Sequence, residues 1–229
     1  MIDLRPAQQA DLPRLRSLWK DCFGDPEDWI DLFFRTAYAP SRSLVLTQGG
    51  TILGAGYWMD CALEEKPVAY LYAIAIAPRF QHQGFGTTLL KGMHAHLAQQ
   101  GYTAALLVPG SVSLRHFYEK LGYRTCSHRP APDSRIPQTP ISPAQYARQR
   151  RAFLPGHGIV QEGPQLQFLA EQAQFFAEPD CIAAVSTEDG RCLELLGTAP
   201  PKTGEAFAMC LPLTDAPFPP EVYFAFAFD

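Results

Sequence analysis

Residues 74–89 read Ile-Ala-Ile-Ala-Pro-Arg-Phe-Gln-His-Gln-Gly-Phe-Gly-Thr-Thr-Leu, an apolar run followed by a glycine-bearing loop and a helical pattern. A strand that hands such a loop to a helix N-terminus brings unpaired backbone N–H groups and the positive end of the helix dipole to one point. That is an anion site, and phosphate is the anion it suits best. Gly84 and Gly86 are expected to let the backbone approach a bulky diphosphate, because a Cβ at either position would intrude. Two nucleotide motifs are excluded. A P-loop needs Gly-Lys-Ser/Thr, and no lysine precedes Thr87. A dinucleotide fingerprint needs a third glycine where Leu89 stands and an acidic residue about twenty positions on, where 104–107 is Ala-Ala-Leu-Leu.

The flanking elements follow from periodicity and punctuation. Leu12, Leu15, Leu18, Trp19 and Cys22 fit a short amphipathic helix with Asp11 as N-cap and a stop at Gly24. A second helix begins with Asp25 as cap and Pro26 in its first turn and carries Trp29, Ile30, Phe33 and Phe34. Gln48-Gly49-Gly50-Thr51 suits a hairpin turn between strands 44–46 and 52–59. Strand 68–77 is apolar on both sides, which predicts a central strand, with Val68, Tyr70, Tyr72, Ile74 and Ile76 on one face and Ala69, Leu71, Ala73, Ala75 and Ala77 on the other. Then come a helix bearing Leu89, Leu90, Met93 and Leu97, a strand over 103–108, a Ser111-capped helix bearing Leu114, Phe117, Tyr118 and Leu121, and a strand over 123–127. The order is ααβββαβαβ, an α/β layer with helices against a mixed sheet.

Pro130, Pro132, Pro137, Pro140 and Pro143 predict a connector without helix or interior strand. The division expected is 1–129, a connector over 130–155, and a small α+β region over 156–229. In the last, 164–177 fits a helix with Leu166, Leu169, Ala173 and Phe176 on one side. Strands 181–185 and 192–196 pair across 188–191, and further strands are expected over 206–211 and 222–228, the last burying Phe224, Phe226 and Phe228. His94 and His96 read as solvated, and Arg148, Arg150 and Arg151 as a solvated helix end.

Gln81-x-x-Gly84-x-Gly86, preceded by Ile76-x-Pro78 and followed by Phe117-Tyr118-Glu119-Lys120-Leu121-Gly122-Tyr123, resembles the two signatures of the GCN5-related N-acetyltransferase (GNAT) superfamily. The resemblance covers roughly residues 2–127. It implies a mixed central sheet flanked by helices, of α/β class (α+β by some schemes), with the C-terminal region as an extension. It also implies acetyl-CoA as acyl donor. Ile74, Ala75 and Ile76 would meet the pantetheine arm and thioester, and Gln81, His82, Gln83, Gly84, Phe85, Gly86 and Thr87 the pyrophosphate. Ser111 stands where the family often has an asparagine at the cofactor. The Ile76 N–H would stabilise the oxyanion and Tyr118 would protonate the departing thiolate, as a phenol of reference pKa ~10 can. The helix pair borders the acceptor cleft in related enzymes, which makes Phe34 and Tyr38 substrate-facing candidates, together with Tyr72. Asp60, Glu64 and Glu65 are the candidate bases, and Asp60 is also a candidate substrate contact.

Composition narrows the function classes. The chain has 229 residues, 19 Lys+Arg against 23 Asp+Glu and a net charge of −4, which does not suit a polyanion or nucleic-acid binder. No apolar run of ~18 residues predicts a membrane span, and the start lacks a basic-then-apolar leader. The six cysteines are scattered without Cys-x-x-Cys spacing, so reduced cytoplasmic thiols and no metal are expected. The expected activity is acetyl transfer to a primary amine of a small molecule or peptide by direct attack in a ternary complex, since no Ser or Cys has a nucleophile setting. A non-catalytic CoA-binding module and a transferase of longer acyl groups, with room beside Ala73, Ala75 and Ala77, stay open, as does a homodimer.

Overall fold

Gly49 and Gly50 adopt φ of 56° and 80°, the left-handed values that a two-residue hairpin turn requires, and they set the register of the sheet around them. The computed structural model describes residues 2–130, 136–197 and 203–227. In chain order the elements of the first half are β1 (Ile2–Pro6), α1 (Leu12–Phe23), α2 (Glu27–Thr36), β2 (Ser43–Gln48), β3 (Thr51–Leu63), β4 (Lys66–Ile76), α3 (Phe85–Gln99), β5 (Ala104–Leu107), α4 (Val112–Glu119), β6 (Arg124–Thr125) and β7 (His128–Pro130). Then come β8 (Thr139–Ile141), α5 (Pro143–Phe153), β9 (Val160–Gln161), α6 (Pro164–Ala170), β10 (Ala173–Glu178), β11 (Cys181–Ser186), β12 (Cys192–Gly197), β13 (Thr203–Ala206) and β14 (Met209–Pro212).

The large sheet runs β1-β2-β3-β4-β5-β14-β6, with β9 beside β3. Among the described residues of this sheet, β4 and β5 pair in parallel and the other neighbouring strands pair antiparallel. The sheet is therefore mixed, with helices packed on it, as the sequence predicts. Each face carries its own core. Leu15, Leu18, Trp19, Ile30 and Phe33 from α1 and α2 join Tyr57, Val68 and Tyr70 on one side, together with Phe168, Phe224 and Phe226 from far down the chain. Leu89, Leu90, Met93 and Leu97 of α3 and Tyr118 of α4 join Trp58, Leu71 and Leu107 on the other. A second sheet, β12-β11-β10-β8, contains the expected 181–185/192–196 pairing.

Several local expectations are corrected. Asp11 is the N-cap residue of α1 as expected, but its carboxylate makes no capping bond to that helix, accepting instead from Arg5 at 2.7 Å and from the Gln8 N–H at 2.7 Å. Asp25 is not the N-cap of α2; it accepts from the Trp19 indole at 2.7 Å, and Pro26 is the N-cap. The connector holds a helix, since Ser142 caps α5 with Gln145 completing the box and Pro143 in the first turn, where its missing N–H costs nothing. Pro140 lies in β8, opposite Phe176 at a sheet edge that tolerates it. Helix 164–177 stops at Ala170, and Ala173 and Phe176 instead lie in β10, where pairing with β11 overrides helical periodicity. The strand expected at 206–211 is broken into β13 and β14. Residues 222–227 form no ladder beyond a Gly158–Tyr223 bridge, since the Ser127 hydroxyl takes the Phe224 carbonyl and Gln161 Nε2 takes that of Phe226. Phe228 lies outside the described residues.

Arg150 is not a solvated helix end. It is 2% exposed, and its guanidinium donates to Glu194 at 2.7 and 3.0 Å, to Gln161 at 2.9 Å and to the Ile159 carbonyl at 3.3 Å. Glu194 is wholly buried and also accepts from the Tyr146 hydroxyl. Every strong donor of this cluster is therefore paired, as a buried charge requires. His94 and His96 are half-buried rather than fully solvated: His94 Nε2 lies 2.8 Å from the Tyr123 hydroxyl, and the His96 ring packs on Trp58.

Candidate active site

The site begins at an irregularity in β4. Between the pairs Ala55↔Ala75 and Tyr57↔Tyr72, β3 contributes only Gly56 whereas β4 contributes Ala73 and Ile74. This is a β-bulge, and Ala73 takes φ 48°, a left-handed value strained for any residue but glycine. The extra residue reverses the side-chain alternation. Ile74 and Ile76 turn to the α3 face with Leu71, while Ala75 and Ala77 join Tyr70 and Tyr72 on the α1/α2 face. Strict alternation put Ile74 and Ile76 with the tyrosines, and the bulge is the reason that grouping fails. Gly56 opposite the bulge also admits α3, since a Cβ there would lie 2.5 Å from Met93 Sδ.

The bulge coincides with a parting of strands. Pairing of β4 with β5 runs from Val68↔Ala104 to Tyr70↔Leu106 and ends there, although β4 continues to Ile76. Ala77 donates to the Leu53 carbonyl at 2.8 Å, so by antiparallel alternation the adjacent Ile76↔Gly54 pair is the one whose backbone groups point away from β3. The Ile76 carbonyl accordingly accepts from Gln81 Nε2 at 2.9 Å and from Cys22 Sγ at 3.3 Å. The Ile76 N–H shares that open edge.

Beyond Ile76 a single 3-10 turn, Pro78–Phe80, leads into the loop. His82 (φ 59°) and Gly84 (φ 84°) are both left-handed, the backbone conformation from which anion-binding turns of successive N–H groups are built. Among the described residues the backbone N–H groups of 82–87 donate to no protein acceptor, the first helical bond of α3 being Thr88 N–H to Gly84 C=O at 3.1 Å. The α4 N-terminus contrasts with this, because the Ser111 hydroxyl accepts from Leu114 N–H at 3.2 Å. The reason for the glycines is also refined. A Cβ on Gly84 would meet nothing within 4 Å, so its need is the left-handed backbone. A Cβ on Gly86 would make only ordinary contacts with Phe117 Cζ at 3.7 Å and Ile76 Cγ1 at 3.9 Å, so any steric need there comes from a ligand.

Tyr118 sits in the last turn of α4, 8% exposed, between Phe117 and Tyr123. Burial pushes its phenol up to about 12. Burial likewise raises the Cys22 thiol, so it meets the Ile76 carbonyl as a protonated donor.

Tyr72 is half-buried just before the bulge, with Trp19, Phe33 and Phe168 around it at ring separations of 5.7–5.9 Å. The Phe34 and Tyr38 rings lie tilted to each other, 5.0 Å apart, and share Tyr57 as a neighbour. The Tyr38 hydroxyl is buried, and burial raises its pKa. These aromatics thus form one wall on the α1/α2 side. Sequence reasoning missed Phe168 and Cys22, whose roles arise from contacts across the chain that no local signal encodes.

The carboxylate candidates are in the wrong place. Asp60 pairs with Ala69, seven residues before Ile76, which is roughly 20 Å along the strand. There it accepts from the Tyr102 phenol at 2.5 Å and pairs with Arg42 at 3.3 Å. Glu64 and Glu65 form the β3–β4 turn, farther still, and Glu64 pairs with His157 at 2.9 Å. Neither the base role nor the substrate contact suggested for Asp60 is compatible with this register. Among the described residues, side chains with metal-ligating atoms within 4.8 Å of one another occur at Glu178, Asp180 and Cys181, at the β10–β11 turn of the second sheet. No helix among the described residues is long and apolar enough to cross a membrane.

Residues 3–126 match the family described as "Acetyltransferase (GNAT) domain". No curated protein matches the sequence. Among solved structures, the chain is similar to a GCN5-related N-acetyltransferase from Kribbella flavida at TM-score 0.64 and 18% identity, covering 87% of this chain and 58% of that one. Eis1 from Mycobacterium abscessus is similar at TM-score 0.63 and 19% identity, covering 87% and 59%. A putative acetyltransferase from Pyrococcus horikoshii is similar at TM-score 0.61 and 14% identity, covering 92% and 89%. The chain thus spans under two thirds of the length of the first two relatives.

Proposed function

Because the chain belongs to the GNAT acetyltransferase family through residues 3–126, we propose that it moves an acetyl group from acetyl-CoA to a primary amine by direct attack in a ternary complex. The observation that carries this reading is the continuity of the open β4 edge at Ile76 with the unsatisfied amides of residues 82–87. An extended pantetheine arm needs the first and a diphosphate needs the second. Acetyl-CoA supplies the activated thioester. Residues 82–87 hold the pyrophosphate, Ile74 to Ile76 offer main-chain groups to the arm, and the Ile76 N–H meets the negative charge that develops on the thioester oxygen.

Tyr118 keeps its proton at neutral pH, since burial raises its pKa, and can give it to the departing thiolate. Cys22 stays a thiol and already serves as donor to Ile76, which favours direct attack over an acyl-cysteine route. With Asp60, Glu64 and Glu65 distant, the amine enters neutral or loses its proton to water. The aromatic wall of Phe34, Tyr38 and Tyr72 borders the acceptor.

The test pairs calorimetry of acetyl-CoA with turnover on a panel of small and peptide amines. Tyr118→Phe should lower kcat about 100-fold with acetyl-CoA affinity unchanged, while Asp60→Asn leaves both unchanged. Absence of acetyl-CoA binding would overturn the site. Binding without turnover on any amine would favour the non-catalytic CoA module.

A further inference from the structure

A cavity of about 460 Å³ lies at the end of the large sheet remote from Ile76. Three stretches distant in sequence supply most of its lining: the β3–β4 hairpin with Leu63, Glu64 and Lys66, the segment after α5 with His157, and residues 216–220, Ala-Pro-Phe-Pro-Pro, after β14. Lys66 opens β4 and Ile76 closes it, so the cavity stands roughly 30 Å of strand away from the open edge. Its size is that of a small-molecule site, ~300–1,000 Å³.

One side of it is apolar and already in place. Leu63 is buried, and Phe218 packs against the core with its carbonyl held by Arg124 Nη2 at 3.3 Å. Pro217, Pro219 and Pro220 fix the backbone around that ring, so little order is left to be lost on binding. The other side carries charges of opposite sign. Glu64 Oε1 lies 2.9 Å from His157 Nδ1, and Glu64 Oε2 has no hydrogen-bond partner among the described residues. Lys66, two positions on, is exposed and has no ion-pair partner among the described residues. The turn that presents them is strained: Glu64 and Glu65 take φ of 49° and 63°, where asparagine or glycine would sit at less cost.

A carboxylate and an ammonium held side by side over an apolar wall exclude simple ions. A lone cation would face Lys66 and a lone anion would face Glu64, and each like-charge meeting opposes binding. A molecule with an ammonium, a carboxylate and a large apolar group on one carbon satisfies all three surfaces at once. We propose that this cavity binds a free α-amino acid with a large apolar side chain, its ammonium on Glu64, its carboxylate on Lys66 and its side chain against Phe218 and Leu63. The site is separate from the acetyl-transfer edge and does not rest on that reading.

Calorimetry with phenylalanine, phenylpropanoate, which lacks the ammonium, and phenylethylamine, which lacks the carboxylate, tests it at up to about 10 mM. Wild type should bind phenylalanine at one site and each single-charge analogue about tenfold more weakly, as loss of one charge-assisted contact implies. Glu64→Gln should weaken phenylalanine about tenfold and leave phenylpropanoate no weaker, whereas Lys66→Met should weaken phenylalanine as much and leave phenylethylamine no weaker. Both side chains are exposed, circular dichroism checks that each variant folds, and the analogue series on wild type needs no variant. No phenylalanine binding by wild type overturns the proposal, as does phenylpropanoate or phenylethylamine binding as tightly as phenylalanine. Phenylalanine binding that survives both substitutions would place the amino acid elsewhere on the protein and also overturns it.

Discussion

Gly54→Ala is the sharpest probe of the β4 edge. A Cβ at position 54 would lie 2.6 Å from the Ala75 carbonyl oxygen and collide with Ile76 Cδ1. The isoleucine tip can rotate, but the carbonyl belongs to the backbone. To reach an ordinary contact of 3.4 Å, the 75–76 peptide must move by about 0.8 Å, away from β3 and into the open edge. Overpacking of this size costs about 1–3 kcal/mol, which leaves a domain of ordinary stability, ~5–15 kcal/mol, folded. Activity should suffer more. A displacement near 1 Å at a positioned donor costs about 100-fold, so kcat/KM for acetyl transfer should fall at least tens-fold.

Gly50→Ala is the control. Gly50 has φ 80° and open space around it, so alanine there strains the hairpin by about 1–2 kcal/mol without touching β4. Urea denaturation gives the stability of each variant, and initial rates at saturating amine give kcat/KM for acetyl-CoA. If Gly54→Ala loses stability yet keeps wild-type kcat/KM, or if Gly50→Ala loses as much activity, the Ile76 edge is not where the thioester is held.

Two further predictions concern the rest of the molecule. Glu194→Ala should destabilise by about 3–5 kcal/mol in urea melts, because it leaves Arg150 charged and unpaired in the core. The double change Arg150→Met with Glu194→Leu should recover most of that loss, and a cost under ~1 kcal/mol for Glu194→Ala would mean the cluster is hydrated. The His94 pKa is lowered in the fold to about 4 from 6.5, so the unfolded chain binds its proton first as pH falls. Stability from this residue is present above pH ~6.5 and is lost as pH drops toward 4. After allowance for solvent screening, the loss between pH 7 and 5 should be about 1 kcal/mol in wild type and near zero in His94→Gln.

Local chemistry in the sequence was sufficient for the left-handed backbone at Gly84, the Ser111 cap, and the Gly24 and Gly49-Gly50 turns. Each depends on residues within a few positions of one another, and the backbone angles that glycine permits do not wait for distant partners. Where the chain's partners come from far away, only the folded structure could decide. Alternation gives β4 two regular faces, but the bulge at Ala73 exists because β3 sets one residue, Gly56, against two, and that register turns Ile76 and its amide toward the cleft. Arg150 reads as a surface charge until Glu194, forty-four residues later, meets it in the core. Asp60 reads as a neighbour of the chemistry until the pairing with Ala69 carries it to the far end of the sheet. Residues 209–212 join the large sheet between β5 and β6, a place no pattern within them specifies, because long-range pairing is chosen by the edge that β5 and β6 leave to be filled.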